Sequence, residues 1–183
     1  GNDVNGGTDL SETNLAAIDQ TTDTPTNNFC TLNSLDTYWS GATLSEGNCK
    51  IATATSPRAA VTGTLGMTTG KWYYELKMNV TAGYGMIAGI SDTVATSASN
   101  HVGVPAGGYG KLSGQTNYYN NDSGTTYGTT FGVDDVLSVA IDLDNSKLYF
   151  AKNGTWMDDA SSVTGVPTSG SSGTGAISIT AVG

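Results

Sequence analysis

The chain has 183 residues and a formal net charge of -9, and only 13% of its residues are charged, against roughly 25% in an average globular protein. Its seven Lys and Arg residues are too few and too dispersed to form a phosphate-binding patch, which excludes a nucleic-acid partner, and no apolar run reaches the length of a membrane span. The length suits one domain of ordinary size with a short arm.

Residues 1–28 form the first segment and are rich in Asn, Thr, Asp and Gly. A segment with so few large apolar side chains has nothing to bury, so the sequence predicts an extended arm or linker here. The chain begins at Gly1 without Met, and we therefore expect that it is processed or is a piece of a longer protein.

Cys30 and Cys49 follow the arm. The two could form one bridge, but a disulfide framework needs more cysteines, and a zinc site needs more ligands than these two thiols and the lone His101. We expect two unpaired cysteines and no metal.

Residues 29–183 carry the signals of an all-β domain. Apolar density rises from Phe29, and turn residues recur about every ten residues, which is the spacing of a sandwich. The clearest strand is predicted over 71–80, where Trp72, Tyr74 and Leu76 alternate with polar or smaller residues. Further strands are predicted over 58–65, 86–91, 109–112, 116–119, 136–143, 148–150 and 176–182, and a loop over 92–107.

Residues 134–154 show the most regular pattern in the chain. Large apolar residues alternate with smaller or polar ones over 136–143, as a strand requires when one face lies on a core. Asn153-Gly154 supplies the positive φ values of a type I′ turn, which matches the twist of paired strands. The sequence therefore predicts an all-β, two-sheet antiparallel sandwich. Its expected core contains Trp72, Tyr74, Leu76, Leu137, Val139, Ile141 and Phe150.

Four motifs resemble the SPRY domain in their order and spacing: "GKWYYEL" at 70–76, "GIS" at 89–91, "GYG" at 108–110 and "DDVLSVAIDLDNSKLYFAKNG" at 134–154. The resemblance implies a bent, concanavalin-like β-sandwich over residues 29–183. SPRY domains of cellular proteins bind partners through their loops, so it also implies a binding role. Members of this family usually continue past the position of Gly183, so we expect that the last strands lie in a longer protein or come from a neighbouring subunit.

Two segments before these motifs, "DTPTNNFCTLNSLD" at 23–36 and "LSEGN" at 44–48, resemble the version of this domain in structural proteins of tailed phages and marine viruses. That resemblance implies a virion part. The low charge and the abundance of Thr, Ser, Asn and Gly are also typical of virion and extracellular β-proteins.

Catalytic chemistry finds little support in the sequence. A glycosidase needs two carboxylates about 5 to 9 Å apart. Glu75 lies on the polar face of its strand, whereas Asp142 and Asp144 flank a turn, where Asp is favoured for capping. The stretch "DLDNS" at 142–146 lacks the Gly and the distant Glu of a calcium loop, and Asp158-Asp159 is typical of a solvated hairpin loop. We expect no catalytic residue, no cofactor and no metal.

Four tyrosines, Tyr109, Tyr118, Tyr119 and Tyr127, lie among Asn, Gly and Ser. This composition is typical of adaptable recognition surfaces, although tyrosines on alternating strands also fill sandwich cores. The candidate binding residues are Asn117, Tyr118, Tyr119, Asn120, Asn121 and Asp122, with the Asn and Asp residues expected in loops.

Together these features predict a non-enzymatic structural or adhesive module of a phage-like virion, such as a tail or head fibre or a decoration protein. We expect it in the virion, outside the cell, as a homo-oligomer that contacts other virion proteins or copies of itself, and host surface glycan or protein through its loops. Two alternatives remain open: a carbohydrate-active enzyme on a sandwich fold, and an extracellular fibre or adhesin protein of cellular origin.

Overall fold

The computed structural model describes residues 28–35, 42–53, 60–80, 85–93 and 101–180. Within these ranges the chain forms eleven β-strands and one turn of 3-10 helix, Gly170–Ser172. The strands are β1 (Ala42–Ser45), β2 (Lys50–Thr53), β3 (Lys71–Lys77), β4 (Ile87–Ile90), β5 (Tyr109–Leu112), β6 (Asn117–Asn120), β7 (Ser123–Thr126), β8 (Val136–Asp142), β9 (Lys147–Lys152), β10 (Thr155–Trp156) and β11 (Ile177–Ser178). The predicted arm lies outside the described residues, except for Asn28.

Two antiparallel sheets carry the fold. One has the strand order β10-β9-β8-β3, with β11 also paired to β9, and the other has the order β4-β5-β6-β7. Strands β1 and β2 form a separate hairpin. The prediction of an all-β, two-sheet antiparallel sandwich is confirmed. No helix in the described part of the chain is both long enough and apolar enough to cross a membrane.

The core lies between the two sheets, and its centre is the β8–β9 hairpin. The inner face of this hairpin carries Leu137, Val139 and Ile141 of β8 and Leu148 and Phe150 of β9. Every second residue of a strand points to the same face, and the register pairs Val139 with Phe150 and Ile141 with Leu148. The second sheet contributes the other side of the core, which consists of Ala88, Ile90, Tyr109 and, just after β7, Tyr127.

Most of the predicted core residues are buried, but Trp72 is not. Tyr74 and Leu76 are partly buried and pack against the core, whereas Trp72 is 39% exposed. Trp72 is paired with Ile141, and its indole N–H donates to the Thr69 carbonyl at 2.8 Å. Alternation predicts which face a side chain occupies but not its distance from the sheet edge. β3 pairs only with β8 among the described strands, so Trp72 lies at the rim.

Three strand predictions were wrong in extent, and one of them is the strand over 176–182, of which Ile177–Ser178 alone forms a strand in the described residues. β3 ends at Lys77 rather than at residue 80, and Val80 is 75% exposed. In the predicted strand over 58–65, residues 58 and 59 lie outside the described part, and the rest contributes only an isolated bridge between Leu32 and Gly63. The apolar residues of that segment do not form a strand, because no described strand pairs with them beyond this bridge.

Both tight turns next to the candidate sites have left-handed backbone at two positions. Asn153 and Gly154 have φ values of 49° and 80°, as the type I′ prediction requires. Asn121 and Asp122 between β6 and β7 have φ values of 50° and 55°. Asn and Asp tolerate this region better than other non-Gly residues, which allows a two-residue turn without glycine.

Candidate functional site

The candidate binding residues lie on the β6–β7 hairpin. Asn117, Tyr118, Tyr119 and Asn120 form strand β6, so Asn117 and Asn120 are not loop residues as expected. Asn121 and Asp122 form the turn, because Asn120 pairs with Ser123. The binding role of these residues stays a prediction.

The turn of this hairpin is tied to residues 101–108. The Asn120 side-chain amide donates to the carbonyls of Ala106 at 2.6 Å and Gly108 at 2.9 Å. The backbone N–H of Asp122 donates to the Gly103 carbonyl at 3.0 Å. These contacts give Asn120 a structural role in holding the segment before β5.

The same segment covers Tyr119. The ring of His101 lies edge-on to the Tyr119 ring, with centroids 5.8 Å apart. The Tyr119 hydroxyl donates to Gln115 Oε1 at 2.5 Å, and a Cβ at Gly103 would lie 2.6 Å from Tyr119 Cβ. Tyr119 is therefore a packed ring rather than an open plate.

The remaining tyrosines of the cluster fill the core. Tyr118 stacks on Tyr109 at 6.4 Å and meets Tyr127 edge-on at 6.3 Å. The Tyr127 hydroxyl donates to the Gly175 carbonyl at 2.8 Å, and burial raises the pKa of Tyr127 above its ordinary value. Among the six candidate binding residues, Asn121 and Asp122 are the exposed ones.

Lys111 is a buried cation that the sequence analysis missed. It is 0% exposed, and its Nζ donates to the carbonyls of Gln115 at 3.1 Å and Tyr127 at 2.8 Å. Burial lowers the pKa of Lys111 to about 8. The sequence did offer a signal for this burial. Lys111 lies two residues after the core residue Tyr109, so both side chains are on the same face of β5.

A second candidate site is a surface cleft of about 730 Å³ between the end of β7 and the β9–β10 hairpin. Its lining includes Thr129, Asn153, Thr155, Trp156, Asp158 and Asp159. Gly128 joins the two sides, because its N–H donates to the Asp158 carbonyl at 2.8 Å. Gly128 has a φ of +69°, and a Cβ there would lie 2.3 Å from Met157 Cβ. Sequence reasoning missed this cleft because its walls come from segments that only the tertiary fold brings together.

An aromatic row leads from the cleft across the outer face of the larger sheet. Trp156 lies edge-on to Tyr73 at 6.5 Å and to Tyr149 at 6.4 Å. In the strand register, Tyr73 and Trp156 are separated by the small residues of β8 and β9, and these are buried: Ser138, Ala140 and Ala151. Because these side chains are small, there is room above them for the rings of Tyr73 and Trp156 to meet.

The carboxylates considered for catalysis are engaged in structural contacts. Burial raises the pKa of Asp142, but hydrogen bonds from Lys71 and Asn145 outweigh it, and the pKa lies below its ordinary value. Asp144 accepts the Gly70 N–H at 2.8 Å, and Glu75 accepts hydrogen bonds from Tyr73 and Ser138. In the described ranges, no three His, Cys, Asp or Glu side chains are grouped to hold a metal ion.

Comparison with known families gives one finding for this chain. The family model of the SPRY domain matches residues 71–169, which is 99 of the 183 residues. The matched span runs from the start of β3 almost to the 3-10 turn and includes the β6–β7 hairpin and the cleft. A search of curated proteins finds no significant match.

Proposed function

The chain belongs to the SPRY domain family, and from this interaction-module fold we propose that it is a non-enzymatic structural or adhesive module of a phage-like virion. The observation that carries the binding role is the cleft beside Trp156, which combines a half-buried aromatic ring with polar side chains that include Thr129, Thr155 and the carboxylates of Asp158 and Asp159. Such a surface is suited to recognition, because rigid rings supply contact area and small polar groups supply hydrogen bonds.

The engaged carboxylates support a role without catalysis. Asp142 is buried, and both of its oxygens accept hydrogen bonds from Asn145, with Lys71 paired to one of them. Asp159 Oδ1 accepts the N–H groups of Ser161 at 2.8 Å and Val163 at 3.0 Å, which is a turn cap. Groups committed in this way are poorly placed for proton transfer to a substrate.

The virion context is supported by the resemblance of residues 23–36 and 44–48 to phage and marine-virus structural proteins, and by the low charge of the chain. In this proposal the module contacts other virion proteins or copies of itself and lies outside the cell. As an adhesive part it also contacts a molecule of the host surface.

Mass spectrometry of purified virions, with immunogold labelling, tests the location. We expect peptides of this chain in intact particles and gold on their surface. Peptides found only in host envelope fractions would favour a cellular fibre or adhesin protein instead.

Incubation with host surface polysaccharide separates the binding role from a carbohydrate-active enzyme. The alternative has one feature in its favour, since Asp158 and Asp159 both line the cleft. We expect no new reducing ends with the chain as it exists. If the wild type releases reducing ends and Asp158→Asn or Asp159→Asn does not, the chain is a carbohydrate-active enzyme and the proposal is wrong.

A further inference from the structure

Trp156 is held in one orientation at the mouth of the cleft. Its half-buried indole contacts Tyr149, which is itself buried and whose hydroxyl lies 3.3 Å from Ser169 Oγ. On another side it contacts Tyr73. A ring fixed before binding loses little conformational entropy when a ligand stacks on it.

The polar lining offers hydrogen-bond partners for hydroxyl groups. Asp158 Oδ1 accepts the Thr164 hydroxyl at 2.6 Å, and Asp159 Oδ1 caps the following turn, so the second oxygen of each carboxylate faces no partner among the described hydrogen bonds. Thr129 and Thr155 add hydroxyls that can donate or accept. This mixture matches a ligand that carries many hydroxyl groups.

The charge of the cleft disfavours anionic ligands. Lys152 is the basic side chain of the described lining, and its Nζ is bound to Asp135 at 2.9 Å and to the Thr130 carbonyl at 3.1 Å. Asp158 and Asp159 are left as the uncompensated charges. Sialic acid, uronic acids and phosphate would therefore meet repulsion on entry.

The lining also disfavours an apolar peptide anchor. Its aliphatic contribution comes from Ala160 and from Met157, which is only 4% exposed. Peptide hot spots need a desolvated apolar pocket. The volume of about 730 Å³ lies within the ~300–1,000 Å³ range of small-molecule sites, so a short oligosaccharide fits better than a single ion.

From these observations we infer that the cleft binds a neutral oligosaccharide, with the Trp156 indole as the stacking plate and Asp158 and Asp159 as acceptors for sugar hydroxyls. This inference rests on the proposed adhesive function, because it names the ligand class of that function. Tyr73, which is 56% exposed beside Trp156, supplies a second plate for a longer glycan.

A glycan array tests the inference directly. The probes are tetramers to hexamers of glucose, galactose, mannose and N-acetylglucosamine, with sialylated and uronic-acid oligomers as the anionic set. We expect the full chain to bind at least one neutral series and none of the anionic set. For the best probe, Trp156→Ala lowers affinity about tenfold or more, as measured by calorimetry.

Matched variants locate the site. Trp72→Ala removes a partly exposed indole from the opposite face of the same sheet and should leave affinity unchanged. Asp158→Asn and Tyr73→Ala should weaken binding, Tyr73→Ala more for hexamers than for tetramers. Circular dichroism and thermal melting verify that each variant is folded.

Three outcomes would overturn the inference: no neutral glycan binds, the anionic set binds instead, or affinity survives in folded Trp156→Ala. If the chain still occurs on virions in that case, the proposed function stands and only its ligand class is wrong. If it is absent from virions, the proposed function itself fails, whatever the array shows.

Discussion

At the scale of single residues, Gly128 and Lys111 each have an energetic cost that comes from their surroundings: the cost of adding a side chain at Gly128, and the cost of burying the charge of Lys111. Gly128 lies at a positive φ and in contact with Met157, so an added methyl group would meet both backbone strain and a steric clash. Lys111 places a cation between carbonyl groups without a carboxylate in its described hydrogen bonds. Neither cost is visible in composition or hydropathy.

The first prediction is that Gly128→Ala lowers the free energy of unfolding by about 2 to 4 kcal/mol, because strain at positive φ and overpacking add. Gly154→Ala is the control, since its φ is +80° and a Cβ there meets nothing within 4 Å. It should cost about 1 kcal/mol through strain alone. Urea unfolding measures both variants, and equal costs would contradict the predicted clash with Met157.

The second prediction concerns the pH dependence of stability. The pKa of Lys111 is about 8 in the folded chain and about 10.4 in an unfolded one, so between these values the unfolded state binds more protons. The free energy of unfolding should therefore rise by about 1 to 2 kcal/mol from pH 8 to pH 9.5. Above pH 10 the raised pKa values of Tyr74 and Tyr127 act in the opposite direction, which limits the useful window.

Lys111→Arg is the matched variant, because it keeps donors for the two carbonyls and does not lose its proton in this range. Urea unfolding at the two pH values should show the rise in the wild type and not in the variant. A rise of equal size in both proteins would assign it to other groups.

At the scale of elements, the β6–β7 hairpin and the segment before β5 depend on each other. Asn120 connects them through two side-chain hydrogen bonds, and the backbone of Asp122 adds a third. The polar residues that the sequence marked for recognition thus include at least one whose amide is used for folding.

The third prediction is that Asn120→Ala loosens residues 101–108 and costs about 1 to 2 kcal/mol, because the part-buried Gly108 carbonyl and the exposed Ala106 carbonyl lose their donor. Hydrogen exchange should accelerate at the amides of Val104 and Gly108, which are bonded to His101 and Pro105. Asn117→Ala on the same strand is the control, since its side chain accepts only a long bond of 3.4 Å from Thr126. Unchanged exchange in Asn120→Ala would mean that the backbone contacts alone hold the segment.

Elements with a clear apolar pattern could be predicted from the sequence, and those defined by their neighbours could not. β8 alternates large apolar residues with smaller or polar ones, β9 is a short apolar run, and Asn153-Gly154 encodes its own turn. β7 reads Ser-Gly-Thr-Thr, has every residue exposed and carries no apolar signal. The cleft was missed for a similar reason, because Trp156 contacts not only Tyr149 on the neighbouring strand β9 but also Tyr73, which lies far away in the sequence.

At the scale of the whole molecule, the edge strand β7 bears on how copies of the chain would assemble. In the described part of the chain β7 pairs only with β6, so its outer edge presents backbone N–H and C=O groups of a polar strand. An edge of this kind is a site for pairing with another strand unless charge or proline blocks it. The net charge of -9 opposes association, and salt should weaken that repulsion.

The last prediction is therefore that the full chain forms a homo-oligomer through sheet edges and the N-terminal arm, and more strongly at high salt. Sedimentation velocity over a concentration series should show species larger than the monomer, with Thr125→Lys on β7 shifting them toward the monomer, because an edge lysine blocks strand pairing. Thr168→Lys adds the same charge at an exposed position outside the sheets and should have little effect. Removal of residues 1–28 tests the arm separately. Sedimentation as a monomer at all concentrations and salt levels would refute the assembly, and equal dissociation by both lysine variants would assign it to net charge rather than to β7.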